Sequence, residues 1–331
     1  MLRAELQKHT RPDLACGLVE VDEPGAPGPD QVVVTIRAAA INPADLLIFE
    51  GRYPGPEMLP APVGIEGAGI VETVGERVTH VKPGDHVISM GRANWAEKVL
   101  AEAGAVVRIP PELGFRDAAQ LKANPPSALL MLHDYQDMQP GDWVIQNAAN
   151  SAVGRHVIRY AGGRGLKSVN IVRRPEQIAE LKALGADVVV VAGDDLGARV
   201  RSECGADANI RLGLDAIGGD ATLHMADCLS NRGTIVHYGF LSGEPCRITP
   251  SHLVVHRLSL TGFWLVDFMQ THSAKEIQTM YSDVSAAFLD GTLVAPVEAE
   301  YPLTQLSEAL AHAHQEARSG KILLLPNGPL D

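Results

Sequence analysis

Positive charge is scarce in this chain. Lys and Arg number 28 against 40 Asp and Glu, for a formal net charge of -12. Nucleic acid needs a basic face to neutralise its phosphates, so the acidic balance argues against nucleic acid as the main partner. Cysteine is scarce too. Cys16, Cys204, Cys228 and Cys246 are scattered over 331 residues. They have neither metal-ligand spacing nor the density of a disulfide framework, which predicts reduced and mostly buried thiols. No apolar run approaches the ~20 residues of a spanning helix. The opening, MLRAELQKHTRPD, is charged and lacks the apolar segment of a secretory signal. The expectation is a cytoplasmic protein without a membrane partner. Internal repeats, low-complexity segments and a G-x-S-x-G hydrolase motif are also missing, Ser151 lying in ANSAV.

What is present is an ordinary globular balance, 46% hydrophobic and 21% charged, in a length that suits about two domains. Up to Ala119 the chain is β-rich. QVVVTIRAAAI, GIVETVG and DHVISM are short β-branched runs bounded by turn-dense stretches such as EPGAPGPD and KPGD. There is little room for helical crossovers, so this region is expected to be antiparallel or barrel-like. DAAQLKANPPSALLMLHDY reads as helical pieces around a Pro-Pro break. Strands and helices then alternate from DWVIQ to SLTGFW, including a helix near 250–257. Six strands in two wound halves predict a parallel, doubly wound dinucleotide-binding sheet. After Leu265 the alternation stops. Two amphipathic helices and KILLLP follow, and their natural place is back on the N-terminal domain. The expected division is 1–119 plus 267–331 for the β-rich domain and 120–266 for the doubly wound one.

VIQNAANSAVG, residues 144–154, sits where the phosphate turn of such a fold belongs. A strand leading through a tight turn into a helix presents N–H groups and the positive helix end to a phosphate. Yet Ala149 and Ser151 stand where G-x-G is usual, and only Gly154 remains. The segment alone leaves a plain structural turn open. The next strand ends in Arg173 and Arg174, about twenty residues on, where an NADP site places Arg and an NAD site an acid. From Trp143 to Pro175 there are six Lys or Arg and no Asp or Glu. A solvated basic helix face is the alternative; the arginine pair at a strand end favours NADPH.

VIQNAANSAVGRHVIRYA and VNIVRRP closely resemble the cofactor segment of the zinc-independent medium-chain dehydrogenase/reductase superfamily. The QNA-x-NS-x-VG form is similar to the 2-enoyl thioester reductases. INPADLLIFEGRYP, LPAPVGIEGAGIVETVG, VKPGDHVI, LKANPPSALLML, GTIVHYGF, LTGFWL and SGKILL resemble that family in the same order. The resemblance implies a GroES-like, barrel-like catalytic domain split by an inserted Rossmann domain, an active site in the cleft between them, and a homodimer pairing through the last strand of the cofactor domain. It also places residues. Tyr53 matches the catalytic tyrosine. Asn124, Asn150, Ser151, Ala152, Val153 and Gly154 match cofactor contacts, and Arg173 and Arg174 the 2′-phosphate arginines. Tyr238, Gly239, Phe240 and Leu241 match a loop over the nicotinamide half, Phe263, Trp264 and Leu265 the wall beside it, and Lys321 a late cofactor contact. The loop around SMGRANWAEKV is shorter than in the mitochondrial members of the 2-enoyl thioester reductases, and SAL at 127–129 replaces their TAY-like run.

Zinc members of the superfamily carry a Cys in the first catalytic loop and a His in G-H-E. Here INPAD has no Cys, and Ile65 stands at the His position. No metal is therefore expected. The pair His252 and His256 has ligand-like i, i+4 spacing but no third ligand, so surface histidines are the default reading. Without a metal, a side chain must assist hydride transfer to an α,β-unsaturated carbonyl. A tyrosine, with a reference pKa of about 10, donates at neutral pH, and Tyr53 lies in a loop held by Pro-Gly-Pro. Asn42 and Asp45 are candidates to set that loop or the substrate carbonyl, with Trp264 as an apolar wall. The implied activity is NADPH-dependent reduction of a 2-enoyl thioester. A quinone oxidoreductase of the same fold and a non-catalytic nucleotide-binding protein are the alternatives.

Overall fold

In the computed structural model, the described residues are 1–205, 207–315 and 318–330. The chain divides into two compact units, Met1–Ala123 with Thr271–Asp331, and Asn124–Gln270. The first unit opens with β1 (Leu2–Leu6), α1 (Pro12–Ala15), β2 (Cys16–Glu20), β3 (Gln31–Ala40), α2 (Pro43–Phe49) and β4 (Ala61–Pro62). It continues through β5 (Ala68–Val74), β6 (His86–Ser89), β7 (Lys98–Glu102), β8 (Val106–Arg108) and α3 (Phe115–Ala118). The second unit alternates α4 (Asn124–Asp134), β9 (Trp143–Gln146), α5 (Ala152–Gly163), β10 (Lys167–Val172), α6 (Ile178–Leu184), β11 (Val188–Val191), α7 (Leu196–Cys204) and β12 (Ile210–Asp215). It ends with α8 (Asp220–Ala226), β13 (Thr234–His237), α9 (Pro250–Val254), β14 (Ser259–Gly262) and α10 (Leu265–Thr271). The tail returns as α11 (Ala274–Leu289), β15 (Val297–Pro302), α12 (Leu306–His314) and β16 (Lys321–Leu325).

In the first unit β3 organises the sheet. Its β-branched start pairs antiparallel with β5 on one side and β7 on the other. Its far end, Ala39 and Ala40, takes Leu324 and Leu323 of β16. Every residue of β16 is buried, so KILLL is stable only against a covering surface. The small side chains of Ala38 and Ala40 leave room for Leu323 and Leu325 in one cluster. The strand path β15-β16-β3-β5-β6-β8 has free ends, so the barrel-like expectation resolves into a sheet that does not close. A separate three-stranded sheet runs β2-β1-β4.

The second unit is a six-stranded parallel sheet of order β11-β10-β9-β12-β13-β14. The chain winds outward from β9 through β10 to β11, then crosses to β12 and winds outward again. The order reverses between β9 and β12, and ligands of such sheets bind beyond the carboxyl ends of the strands at that point. Apolar residues from both faces are buried, Ile145, Val169 and Ile235 on one side and Val144, Leu212 and Val236 on the other.

Three local expectations change. The Pro-Pro pair is no break: Pro125 and Pro126 occupy the first turn of α4, where their missing N–H groups are not needed. The helix expected near 250–257 stops at Val254, and His252 is buried rather than at the surface. Its ring meets Asp227 at 3.0 Å, whereas His256 meets Asn231 at 3.0 Å, so the two imidazoles serve different partners. The four cysteines are free; Cys228 is buried and the others half-buried. No helix among the described residues is long and apolar enough to cross a membrane.

Candidate functional site

In the nucleotide-binding unit, the turn after β9 is built with little glycine. Ala148 adopts φ 47°, the left-handed region that glycine usually supplies. Ser151 N–H donates to the Ala148 carbonyl at 2.8 Å, closing the turn. The Ser151 hydroxyl then caps α5 by accepting from Gly154 N–H at 3.1 Å. Gly154 is the position where size is forbidden. A Cβ there would lie 2.5–2.7 Å from the backbone of Ala149. The helix thus starts in near contact with its own strand turn, with the N–H groups of Ala152 and Val153 in its first turn. Asn150 contributes its carbonyl, which accepts from Arg155 Nε at 3.2 Å.

The polar residues before the turn fasten it from beneath. Gln146 Nε2 donates to the Gly154 carbonyl at 2.9 Å and to Asn170 Oδ1 at 2.7 Å. Asn147 Nδ2 donates to Asp215 Oδ1 at 2.6 Å, and its Oδ1 accepts from Ala216 N–H at 2.8 Å. Ala149 N–H reaches the Ile171 carbonyl at 3.2 Å. That bond ties the turn to the end of β10, whose next residues Arg173 and Arg174 are both exposed.

On the other side of the switch, Tyr238 to Leu241 follow β13. Tyr238 N–H and Leu241 N–H bond back to the carbonyls of Asp215 and Ala216. A Cβ on Gly239 would come within 2.4 Å of the Ala216 carbonyl oxygen, so the loop crosses the end of β12 in backbone contact. The Tyr238 hydroxyl is buried beside Ser151, and burial pushes its pKa up. Phe240 and Leu241 are exposed. Phe263 N–H bonds to the His237 carbonyl at 3.0 Å, and its ring meets Tyr135 edge-on. Trp264 is 46% exposed and Leu265 half-buried. Asn124 heads α4, which packs on α5 through Ala128, Met131, Val157 and Ala161. The cofactor residues expected in this unit therefore gather at the carboxyl ends of β9, β10, β13 and β14 and at the head of α4.

The β-rich unit holds a different set. Tyr53 lies between α2 and β4, half-buried against the core. The same unit holds a network of polar and charged groups, buried at Asn42, Asp45, Glu66 and Lys321 and half-buried at Lys122, that sequence reading missed apart from Asn42, Asp45 and Lys321. Asn42 Nδ2 donates to Glu66 Oε2 at 2.6 Å, and its Oδ1 accepts from the Lys321 ammonium. Glu66 Oε1 accepts from Ala123 N–H at 2.6 Å. Asp45 accepts from the N–H of Asn42 at 2.8 Å and of Ile65 at 3.0 Å. Lys122 Nζ donates to the carbonyls of Ile65, Met90 and Gly91 at 2.6, 2.9 and 2.6 Å, one acceptor for each proton. At Ile65, where zinc members present an imidazole, this chain offers backbone to Asp45 and Lys122. Asn42 and Lys321, expected to face substrate and cofactor, have each other as partners.

Burial pushes the ammonium groups of Lys122 and Lys321 down to about 8, against the attraction of Glu66. Burial also pushes the Asp45 carboxyl up to about 7, against its two backbone N–H bonds. A carboxyl raised in the folded state holds a proton at pH values where the unfolded chain has released it. Stability from this group therefore increases as pH falls from about 7 towards the ordinary carboxylate value of about 4. Both lysines are mostly protonated in either state across that window and add little slope. Asp45→Asn is expected to cost about 1–3 kcal/mol, because an amide N–H₂ must face a backbone N–H. Measured by urea unfolding, the deficit of the variant should widen as pH is lowered from about 7 to about 5. A deficit constant with pH would show that Asp45 titrates normally.

Comparison with known proteins identifies the fold and the family. The alcohol dehydrogenase GroES-like domain matches residues 28–111, and the zinc-binding dehydrogenase family matches residues 152–282. The mitochondrial enoyl-[acyl-carrier-protein] reductase of Caenorhabditis elegans is 37% identical over 292 residues, covering 86% of this chain and 83% of the relative. The structure of the Etr1p complex with NADP and crotonyl-CoA superposes with a TM-score of 0.85 at 26% identity, covering 98% of this chain and 99% of the other. Escherichia coli quinone oxidoreductase in complex with NADPH gives 0.89 at 26% identity, covering 98% and 100%. Curated relatives of this kind are named as mitochondrial enzymes, so they lend no support to a cytoplasmic location. The chain belongs to the medium-chain dehydrogenase/reductase superfamily, alongside enoyl thioester reductases and quinone oxidoreductases.

Proposed function

We propose that this protein reduces the C=C bond of a 2-enoyl thioester with NADPH, with Tyr53 as the proton donor. The observation that carries the cofactor half is the glycine-poor turn at the sheet's switch point, hydrogen-bonded to the strand that leads into Arg173 and Arg174. A Cβ-free approach at Gly154 and Gly239, two first-turn N–H groups on α5 and two exposed guanidinium groups suit a dinucleotide with a 2′-phosphate. Asn124, Asn150, Ser151, Ala152, Val153 and Gly154 would hold it on one side, with Tyr238 to Leu241 and Phe263 to Leu265 on the other. Bound there, NADPH supplies the hydride for the β-carbon.

The protein's own share is orientation and proton transfer. The enolate left by hydride addition needs a donor at its oxygen and a proton at the α-carbon, and Tyr53 supplies the proton and regains one from solvent. Its ring is steadied by the β-rich core. Asn42, Asp45 and Glu66 fix the two ends of the segment that carries it, so in this reading Asn42 is a positioning residue. The substrate class rests on the enoyl reductase relatives and on Etr1p, whose complex contains crotonyl-CoA. Likeness to the quinone oxidoreductases favours quinone reduction as the second reading.

Tyr53→Phe is expected to lower kcat for crotonyl-CoA by about 10²–10⁴-fold while leaving the Kd for NADPH unchanged. An undiminished rate removes Tyr53 from the chemistry. Wild-type turnover of quinones without turnover of enoyl thioesters would transfer the assignment to the second reading, and NADPH binding with neither would make the protein a nucleotide-binding module. Replacing both Arg173 and Arg174 by Ala is expected to raise KM for NADPH far more than for NADH. Equal effects on the two cofactors would contradict a 2′-phosphate site.

The homodimer belongs to the same proposal. β14 is an edge strand, with β13 as its neighbour, and three of its four residues are exposed. Leu253, Val254 and Val255, shortly before it in the chain, are 45, 74 and 68% exposed, an apolar surface that we place in the same interface. Sedimentation should give a dimer for the wild type and a monomer for Val254→Asp with Val255→Asp. A monomeric wild type would end the idea.

A further inference from the structure

Asp215, His237 and Cys246 come from three separate segments of the nucleotide-binding unit, the ends of β12 and β13 and the loop before α9. Their ligand atoms lie within 4.8 Å of one another. We propose that these three side chains form a zinc-type divalent metal site, distinct from the position where zinc members of the superfamily carry theirs.

The geometry suits a tetrahedral ion. His237 Nδ1 and Asp215 Oδ2 are 3.1 Å apart. Two ligands about 2.0–2.1 Å from one zinc, at a tetrahedral angle, stand roughly 3.3 Å from each other. One ion held by this pair needs only a small displacement of the imidazole, and the Cys246 sulfur, within 4.8 Å of both, has to stand about 3.6 Å from each. The donor set is nitrogen, oxygen and sulfur, which zinc accepts and which magnesium and calcium, oxygen-seeking ions, do not. Three protein ligands leave the fourth position to water, while the Thr222 hydroxyl donates to Asp215 Oδ2 at 2.5 Å and supports that ligand.

The carboxylate is held ready by its surroundings. Oδ1 accepts from Asn147 Nδ2 and from the N–H groups of Ile217 and Gly218, at 2.6, 2.9 and 3.1 Å. Burial opposes ionisation there, but the hydrogen bonds from His237, Thr222 and Asn147 hold the group well below the usual carboxylate range. Outer-shell bonds of this kind orient metal ligands, and they leave Oδ2 directed at His237. Gly218 and Gly219, at φ 87° and 59°, make the turn that brings these N–H groups around the carboxylate. Burial raises the Cys246 thiol, so capture of the ion displaces the thiol proton to solvent and tightens as pH rises. The ion would join the loop carrying Cys246 to the sheet beside Tyr238. The inference does not depend on the reductase reading, since its test needs neither substrate nor NADPH.

The experiment uses the full chain, freed of metal with a chelator and titrated with Co²⁺. Wild type should bind one Co²⁺ per chain with a near-ultraviolet sulfur-to-cobalt charge-transfer band that Zn²⁺ bleaches and Mg²⁺ does not. Cys246→Ser should abolish the band although Cys16, Cys204 and Cys228 remain. His237→Gln should weaken Zn²⁺ binding by about ten-fold or more in chelator competition. Absence of the band in wild type, its survival in Cys246→Ser, or equal displacement by Mg²⁺ overturns the proposal. Should His237→Gln fail to fold, the isosteric Cys246→Ser variant still decides the question by its spectrum.

Discussion

The nucleotide-binding unit depends on one close contact, that of Gly154 with the backbone of Ala149. The first turn of α5 lies so near the end of β9 that no side chain fits between them. That approach fixes the direction of the helix, and with it the place where the first-turn N–H groups emerge. It also sets the demands on the preceding residues. Ala149 is fully buried under the helix, so a small residue suffices there. Ala148 takes the left-handed turn at a cost of roughly 1–2 kcal/mol that a glycine would avoid. The structure offsets that cost with the hydrogen bonds of Gln146, Asn147 and Ser151 around the turn.

The β-rich unit solves its positioning problem with charge. Taking ammonium and carboxylate groups out of water is expensive, and their attraction repays the loss only where the remaining hydrogen bonds are filled. Lys122 meets that condition through three carbonyls, and Glu66 and Asp45 each accept two hydrogen bonds. An apolar cluster would hold these segments together as tightly. It would not fix their register, because apolar contacts are non-directional and hydrogen bonds are not. The network therefore specifies where the α2 loop begins, at Asn42, and where it ends, at Ile65, with Tyr53 between them.

Much of this architecture was legible from local pattern. The regular alternation after Trp143 gives the parallel sheet because each β-run and each helical run carries its own period. The return of KILLLP follows from five consecutive residues that must be buried. The Pro-Pro pair misled because proline breaks a helix interior but suits a first turn, and only the position of Asn124 as the start of α4 separates the two cases. The site was legible in part. Asn150 to Gly154 and the arginine pair are contiguous signals that flank one helix. Asp215 was not singled out, because its partners Asn147, Thr222 and His237 lie 68, 7 and 22 residues away and none forms a motif with it. Lys122 escaped for a related reason: its acceptors are main-chain carbonyls, and a carbonyl has no letter in the sequence.

This division clarifies what the replaced glycines mean. In a glycine-rich turn the backbone reaches the phosphate because nothing else is present. In this chain the turn is shaped by side-chain amides and a hydroxyl that bond to strand, helix and neighbouring loop. Gln146 reaches Gly154 and Asn170, Asn147 reaches Asp215 and Ala216, and Tyr238 stands over Ser151. Both halves of the sheet thus bear on one turn, β10 through Ile171 and β12 through Asp215. A change at either strand end shifts the turn by the same hydrogen bonds that hold it. Rigidity that glycine packing supplies locally is distributed here across the switch point, which is why Asn147, rather than any glycine, links the nucleotide turn to the Asp215 cluster.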